Sequence, residues 1–292
     1  MKKIPWFLVV VCSFFMMLAS CGFLMGQLVQ GPVNPTASAP YIGLVKIQGA
    51  LMDSEPVLNQ FNDHLKDPKC RGILLRVDSP GGAVGAAQEI NAKLLQLRQD
   101  DFPVITSFGN ISASGGVYST ASSLKIFANP GTLTGSIGVI TQFPEATELM
   151  EKIGVKMNII NSGAHKATGN PFKKLDKASA TKMQVVINDT WMQFMEAISV
   201  GRGLSIDSIK TFADGSVFTG RRALELGLVD SLGGFDIAKE YIIEQTGLAK
   251  SAEFIEITPP APLIDRLLKE PISSALGGLQ VYKSKMPLFI WQ

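Results

Sequence analysis

Apolar and polar positions follow two periods along the chain from about residue 41 onwards. Short apolar runs predict strands, whereas apolar residues spaced three and four apart predict helices. The predicted strands cover 41–47, 72–77, 104–108, 125–127, 137–141, 155–160, 216–218, 228–229 and 253–257, and the predicted helices cover 55–66, 83–98, 145–153, 177–200, 221–226 and 237–245. Strands that alternate with helices indicate right-handed crossovers, so we expect an α/β fold with a mostly parallel sheet.

The N-terminal segment has a different pattern, because 6–28 is almost wholly apolar and follows Lys2 and Lys3. A run of this length can cross a bilayer, and flanking lysines stay on the cytoplasmic side. Leu18-Ala-Ser-Cys21 also fits the cleavage pattern that precedes a lipidated cysteine. We therefore predict that 1–29 is either an uncleaved signal anchor or a lipoprotein signal peptide. Both place the rest of the chain on the extracytoplasmic side of the membrane.

Composition shifts divide the remainder of the chain into three parts. A stretch rich in proline, alanine and serine predicts a linker over 30–40. The alternating elements form one predicted domain over 41–258. The segment 259–292 carries scattered prolines and apolar residues, which predicts a C-terminal tail that is an oligomer contact or partly disordered.

Charge and metal-binding residue types exclude several classes of function. The 27 basic and 25 acidic residues nearly balance and form no basic run, so we expect no nucleic-acid partner. Of the three cysteines only Cys70 lies beyond the apolar segment, and the chain has two histidines, His64 and His165. These numbers exclude a disulfide framework or a cysteine-based zinc site. We predict no metal and no cofactor.

Two glycine-rich stretches follow predicted strands and carry the candidate chemistry. Arg76-Val-Asp-Ser-Pro-Gly-Gly82 is either a simple tight turn or a turn that offers a backbone N–H to an oxyanion. The stretch 111–118, ISASGGVY, places Ser114 at a helix start with the Gly115 N–H beside it. Ser112 is the competing hydroxyl. Both stretches would meet at the carboxyl edge of a parallel sheet, where open α/β sheets place their sites.

A serine nucleophile needs a base, and the loop 161–172 offers His165 and Lys166. A histidine base would need an orienting carboxylate. No acidic residue lies between Glu151 and Asp176, although the distant Asp78 or Asp230 could approach. A lysine base needs only burial that favours its neutral form. The spacing favours Lys166 slightly over His165.

Five stretches occur along the chain in a fixed order: Asp78-Ser-Pro-Gly-Gly82, Ser112-Ala-Ser-Gly-Gly-Val-Tyr118, Leu133-Thr-Gly-Ser-Ile-Gly-Val139, Ser162-Gly-Ala-His-Lys166 and Val217-Phe-Thr-Gly-Arg-Arg-Ala-Leu-Glu-Leu-Gly-Leu-Val-Asp230. This series resembles the signal peptide peptidase A family of membrane-bound Ser/Lys peptidases. The resemblance covers about 41–246 and is to the short, single-repeat form. It implies a Clp-protease/crotonase-like fold and an enzyme in a bacterial cell membrane that degrades leftover signal peptides.

The resemblance also implies roles for individual residues. Ser114 would be the nucleophile and Lys166 the general base. The remaining implied site residues are the oxyanion donors Gly81, Gly82 and Gly115, and the substrate-cleft residues Gly135, Ser136 and Ile137. The family's short forms are homo-oligomeric rings in which neighbouring protomers share each site. The partners implied are thus peptide substrates, the membrane and further copies of the chain.

Some residues depart from the family pattern and leave other functions to consider. Asp78 stands where asparagine is usual, and Val117 and His165 replace frequent aromatic residues. These departures affect the expected substrate preference, not the reaction type. The alternatives are a non-catalytic membrane scaffold, a protease with a different client, and an acyl-CoA enzyme on the same scaffold.

Overall fold

The structure, a computed structural model, describes residues 37–257. Eight strands are present in this range: β1 Tyr41–Gln48, β2 Cys70–Ser79, β3 Val104–Ala113, β4 Lys125–Ala128, β5 Leu133–Gly135, β6 Val217–Thr219, β7 Ser231–Leu232 and β8 Phe254–Glu256. The helices in the same range are α1 Glu55–Leu65, α2 Val84–Gln99, α3 Gly115–Thr120, α4 Thr147–Lys152, α5 Lys177–Arg202, α6 Ile206–Lys210, α7 Gly220–Glu225 and α8 Phe235–Thr246.

The strands form one sheet with the order β6-β5-β3-β2-β1-β8, and β4 and β7 extend it beside β3. Every pairing in this sheet is parallel except that of β5 with β6. One face packs against α1, α2, α3 and α5 in a large apolar cluster that includes Phe61, Leu94 and Phe194. The other face packs against α8 through a smaller cluster around Ile105 and Ile242. The predicted α/β class with a mostly parallel sheet is confirmed.

Strand β3 is longer than predicted and joins two halves of the sheet. Its first half pairs with β4 and its second half pairs with β5. Between the halves, two extra residues interrupt the register with β2. The Asp78 carboxylate bridges this irregularity by accepting bonds from the Ile111 N–H and the Asn110 amide, each at 3.1 Å. A Cβ on Gly109 would lie 2.8 Å from Asp78 Cγ, so the close approach requires glycine.

Three predicted strands are absent, and β5 was not predicted. The segment 137–141 begins with Ile137, which is fully buried in the large apolar cluster, and continues without regular structure. Residues 155–160 pair with no described strand. Residues 228–229 belong to a turn, and the strand β7 begins just after it. The apolar residues of 137 and 228–229 are buried in the core and those of 155–160 are mostly exposed, but none of these segments pairs with a described strand.

Several predictions concern residues outside 37–257. The predicted membrane segment over 1–29 and the tail over 259–292 lie outside the described residues. Within 37–257, no helix is both long enough and apolar enough to cross a bilayer.

Candidate active site

Ser114 lies in a sharp turn between β3 and α3 and has a strained backbone. Its φ of 52° and ψ of −118° lie in a region that residues with a Cβ seldom adopt. Such a conformation costs about 1–3 kcal/mol and persists only where the surroundings impose it. Here the Ser114 N–H donates to the Gly135 carbonyl at 2.9 Å, and the Ser114 carbonyl accepts from the N–H groups of Val117 and Tyr118. The turn therefore holds the serine rigidly at the carboxyl edge of the sheet.

The competing hydroxyl, Ser112, lies two residues earlier and is completely buried. Its Oγ is 3.0 Å from the position that a Cβ on Gly116 would occupy, and it has no hydrogen-bond partner among the described residues. Ser114, in contrast, lines an open cleft. The structure thus separates the two hydroxyls, since only that of Ser114 can meet a substrate.

The Pro80-Gly-Gly turn packs directly against Ser114. Leu51 forms a parallel bridge with Gly82, in which the Gly81 carbonyl and the Ala83 N–H bond to Leu51 at 2.9 and 2.7 Å. The Gly82 N–H takes no part in this bridge and has no acceptor among the described residues. It lies 3.1 Å from the position that a Cβ on Gly115 would occupy, so the two loops meet here.

The oxyanion donors predicted from the sequence differ in their availability. The Gly81 N–H already donates to Ser79 Oγ at 3.1 Å, so Gly81 fits a role in shaping the turn better than a role as donor. The N–H groups of Gly82 and Gly115 have no acceptor within 37–257. Two free amides next to a serine hydroxyl can stabilise the oxyanion that forms when serine attacks a carbonyl.

The cleft beside Ser114 has a volume of about 310 Å³ and a largely apolar wall. Val84 and Ala87 of α2 and Phe194 of α5 form much of this wall, with Tyr118 of α3 next to them. The Tyr118 and Phe194 rings lie 4.8 Å apart between centroids. This wall was not predicted from the sequence, because it is formed by helices whose apolar positions are equally typical of a buried core.

The predicted cleft residues have three different environments. Ser136 lines the cleft with a φ of 51°, and its N–H donates to the Ser216 carbonyl at 2.7 Å. Gly135 supports the site from behind by accepting the bond from Ser114. Ile137 is fully buried in the core, so the prediction that it lines the cleft is wrong. The lining continues instead along Gly138, Val139 and Ile140.

The cleft contains no candidate base among the described residues. Its one titratable lining residue is Tyr118, and burial raises the pKa of this phenol. Neither Lys166 nor His165 lines the cleft, and both side chains are exposed. The burial that a lysine base needs is thus absent within the described single chain, and the role of Lys166 as the base stays a prediction.

The site has the groups that attack a carbonyl and stabilise the oxyanion in a serine hydrolase. They are a strained serine at a strand-to-helix turn and two free amides, and they lie beside an apolar cleft. Comparison with known proteins agrees with this class. The model of peptidase family S49 matches residues 96–249, which is more than half of the 292-residue chain. The chain belongs to peptidase family S49 and is a serine peptidase.

Individual relatives carry related names. A Synechocystis protein whose name describes it as a protease is 40% identical over 80% of this chain and 84% of its own length. An Enterococcus faecium protein named as a signal peptide peptidase SppA is 36% identical over 60% of this chain and 51% of its own length. Protease 4 of Salmonella typhi is 33% identical over 77% of this chain, which spans only 36% of that protein.

Proposed function

We propose that this chain is a membrane-attached endopeptidase with a Ser/Lys dyad that degrades cleaved signal peptides. Ser114 is the nucleophile, and Lys166 of a neighbouring copy is the general base. The neutral Lys166 amine takes the hydroxyl proton as Ser114 Oγ attacks the peptide carbonyl, and then gives it to the leaving amine. The N–H groups of Gly82 and Gly115 stabilise the oxyanion. Water then hydrolyses the acyl-enzyme by the reverse proton transfers.

The observation that supports this proposal is that, in one described chain, the nucleophile and the candidate base lie in different places. The described cleft holds the hydroxyl and the amides but no base, while Lys166 lies on an exposed loop that does not line the cleft. A lysine acts as a base only when it is removed from water, since water stabilises its charged form. A second copy of the chain supplies both the contact and the burial.

The segment that carries Lys166 has the surface of an interface. It exposes Ile153, Met157 and Ile160, and Ile160 is fully accessible. For residues 156–160 no backbone hydrogen bond to another described residue is present. Contiguous exposed apolar side chains and free strand-like backbone favour contact with another protein surface. Because the contact joins two different surfaces, its repetition forms a ring when the rotation from one copy to the next closes.

The cleft supports an apolar peptide as substrate. Its wall of Val84, Ala87, Tyr118 and Phe194 offers no charged group, so it would accept the apolar side chains of a signal peptide core. The name of the Enterococcus faecium relative points to the same class of substrate. The apolar segment 6–28 would hold the enzyme at the membrane surface, as an anchor or through a lipidated Cys21, on the extracytoplasmic side where such peptides are released.

The test is to incubate the detergent-solubilised full chain with a synthetic signal peptide and map the cuts by mass spectrometry. We expect several cuts within the apolar core of the peptide. Ser114→Ala should remove all of them with little change in thermal stability, and Ser112→Ala, the matched control, should retain most activity. An active Ser114→Ala enzyme, or a wild-type enzyme that spares the signal peptide but cleaves polar peptides, would contradict the proposal.

A further inference from the structure

His165, which precedes Lys166, is tied to the start of α5 by a chain of hydrogen bonds. Its ring Nδ1 lies 3.1 Å from Ser179 Oγ. Ser179 is in the first turn of the 26-residue helix α5 and is 2% exposed. Its Oγ is in turn 3.0 Å from Asp176 Oδ2, and its N–H donates to Asp176 Oδ1 at 2.8 Å. An imidazole, a buried hydroxyl and a helix-capping carboxylate thus form one row.

The direction of each bond in this row follows from the donors available. The bonds from the Ser179 N–H and hydroxyl lower the pKa of Asp176, so its carboxylate is ionised at neutral pH and can only accept. The Ser179 hydroxyl has one proton, which it donates to Asp176. Ser179 Oγ must therefore accept from His165, and the proton of the neutral imidazole lies on Nδ1.

This bond connects the part of the lysine loop next to Lys166 to helix α5. Among the described residues, the hydrogen bonds of 161–167 are otherwise local, such as Lys166 N–H to the Gly163 carbonyl and the Thr168 N–H to the His165 carbonyl. The His165 bond to Ser179 is the one that reaches a regular element outside the loop. At the far end of the loop the Ala146 N–H donates to the Pro171 carbonyl, so among the described hydrogen bonds that of His165 is the one that connects the stretch beside Lys166 to the rest of the domain.

We propose that His165 is a positioning residue, whose Nδ1–H holds the Lys166 loop against the start of α5. This inference rests on the proposed role of Lys166 as the base. A base must reach the hydroxyl at hydrogen-bond distance, and a displacement of about 1 Å can cost on the order of 10²-fold in rate. The His165 ring is engaged with Ser179 of its own chain and not with substrate, so we expect it to act on kcat and to leave KM nearly unchanged.

Replacing His165 by asparagine or by glutamine tests whether the Nδ1–H bond to Ser179 is what matters. In His165→Asn the side-chain NH₂ takes nearly the place of Nδ1 and can donate to Ser179, whereas in His165→Gln it takes nearly the place of Nε2 and cannot. We expect His165→Asn to keep most of the wild-type kcat and His165→Gln to lose about tenfold or more, with equal KM values. Ser179→Ala should lower kcat to a similar extent, and adding His165→Gln to it should cost little more.

An independent readout measures the imidazole directly. The chain has only two histidines, His64 and His165, so ring-labelled histidine gives two sets of nitrogen NMR signals, which His165→Asn assigns. At a pH where the ring is neutral, we expect the proton of His165 to lie on Nδ1. In Ser179→Ala the acceptor is gone, so we expect both tautomers to be populated and the two nitrogen signals to shift towards their average.

The outcomes separate this inference from the proposed function. Equal kcat values for His165→Asn and His165→Gln, or a wild-type His165 protonated on Nε2, would overturn the positioning role while an inactive Lys166→Ala still supported the dyad. Two fully inactive variants would make the imidazole itself a reacting group and overturn the inference as well. An active Lys166→Ala enzyme would overturn the proposed base, and with it the inference that depends on it.

Discussion

The sheet edge that carries Ser114 is tightly packed, whereas the segment that carries Lys166 is loosely packed and exposed. Around Ser114, backbone meets backbone so closely that a Cβ on Gly81 would lie 2.7 Å from the Gly115 nitrogen. Around Lys166, no atom lies within 4 Å of the position that a Cβ on Gly163 would occupy. The first region is buried between strands and helices. In the second, the one helix of residues 141–176 is the six-residue α4, which has no buried residue.

The difference indicates how the work of catalysis is divided. An oxyanion hole needs donors fixed before the reaction, and the sheet edge provides that rigidity within one chain. A lysine base needs burial, and in the proposed assembly the exposed segment would gain it where its apolar side chains meet another copy. Under that proposal, the cleft described in one chain holds the nucleophile and the oxyanion donors, and a second copy brings the base.

The largest expected effect concerns Lys166. Lys166→Arg keeps a positive charge but cannot provide a neutral amine, so we expect peptide hydrolysis to fall by about 10²- to 10⁴-fold. Because the Lys166 side chain is exposed in the single chain, the thermal unfolding temperature should hardly change. Lys173→Arg, at a neighbouring exposed lysine, is the matched control and should be active. Equal loss in both variants would remove the special role of Lys166.

A matched pair of glycine replacements compares the two regions next. Gly81 has a φ of 104° and no space for a Cβ, so Gly81→Ala should push Ser114 and lower kcat on the order of 10²-fold. Gly163 has a φ of 79° but open space, so Gly163→Ala should cost only the backbone strain of about 1 kcal/mol, within the loop. Similar kcat values for the two variants would show that the regions do not differ in rigidity.

The exposed apolar surface gives the third prediction. Ile160→Glu would place an unpaired charge in the proposed contact, which costs about 2–5 kcal/mol, so assembly and activity should weaken together by at least about tenfold. Ile237→Glu on α8 is a control, since Ile237 is half-exposed on the opposite face of the sheet. Mass photometry and peptide hydrolysis measure the two effects. A monomeric Ile160→Glu enzyme with full activity would contradict the shared site.

The smallest expected effect compares the two histidines. Burial lowers the pKa of His64, so the folded state binds a proton less readily than the unfolded state. The free energy of unfolding should therefore fall as the pH drops below about 6.5, by at most about 1.4 kcal/mol per pH unit. His64→Asn should flatten this dependence, whereas His165→Asn should leave it in place. Chemical unfolding at several pH values measures both, and a dependence that survives His64→Asn would point to another group.

The sequence predicts the regular parts of the fold well and its irregular parts poorly. Strand β2 was predictable because its apolar run is buried on both faces of the sheet, and helix α5 because the buried apolar residues of its second half, such as Phe194 and Ile198, recur at helical spacing. The second half of β3 was not predicted, because the strand continues beyond Gly109 through the hydrogen bond from the Ile111 N–H to the Asp78 carboxylate. A hydrogen bond of this kind leaves no periodic pattern in the sequence. The absent strand at 155–160 has the alternation of a strand but no neighbour within the described chain.

The site likewise has parts that the sequence predicts and parts that it does not. Ser114 and Gly82 were predictable, because glycines and serines after strands indicate turns at a sheet edge. The apolar wall at Val84 and Phe194 was not, since it depends on how α2 and α5 cross. Burial of Ile137 in place of cleft exposure depends equally on long-range packing.

The most direct test of the shared site mixes two inactive enzymes. Chains with Ser114→Ala lack the nucleophile, and chains with Lys166→Ala lack the base. If each site takes Ser114 from one copy and Lys166 from the next, random exchange of subunits in an equal mixture restores about a quarter of the sites. The account predicts peptide hydrolysis near that fraction of the wild-type rate. No recovered activity, with subunit exchange demonstrated by a fluorescence label, would contradict it.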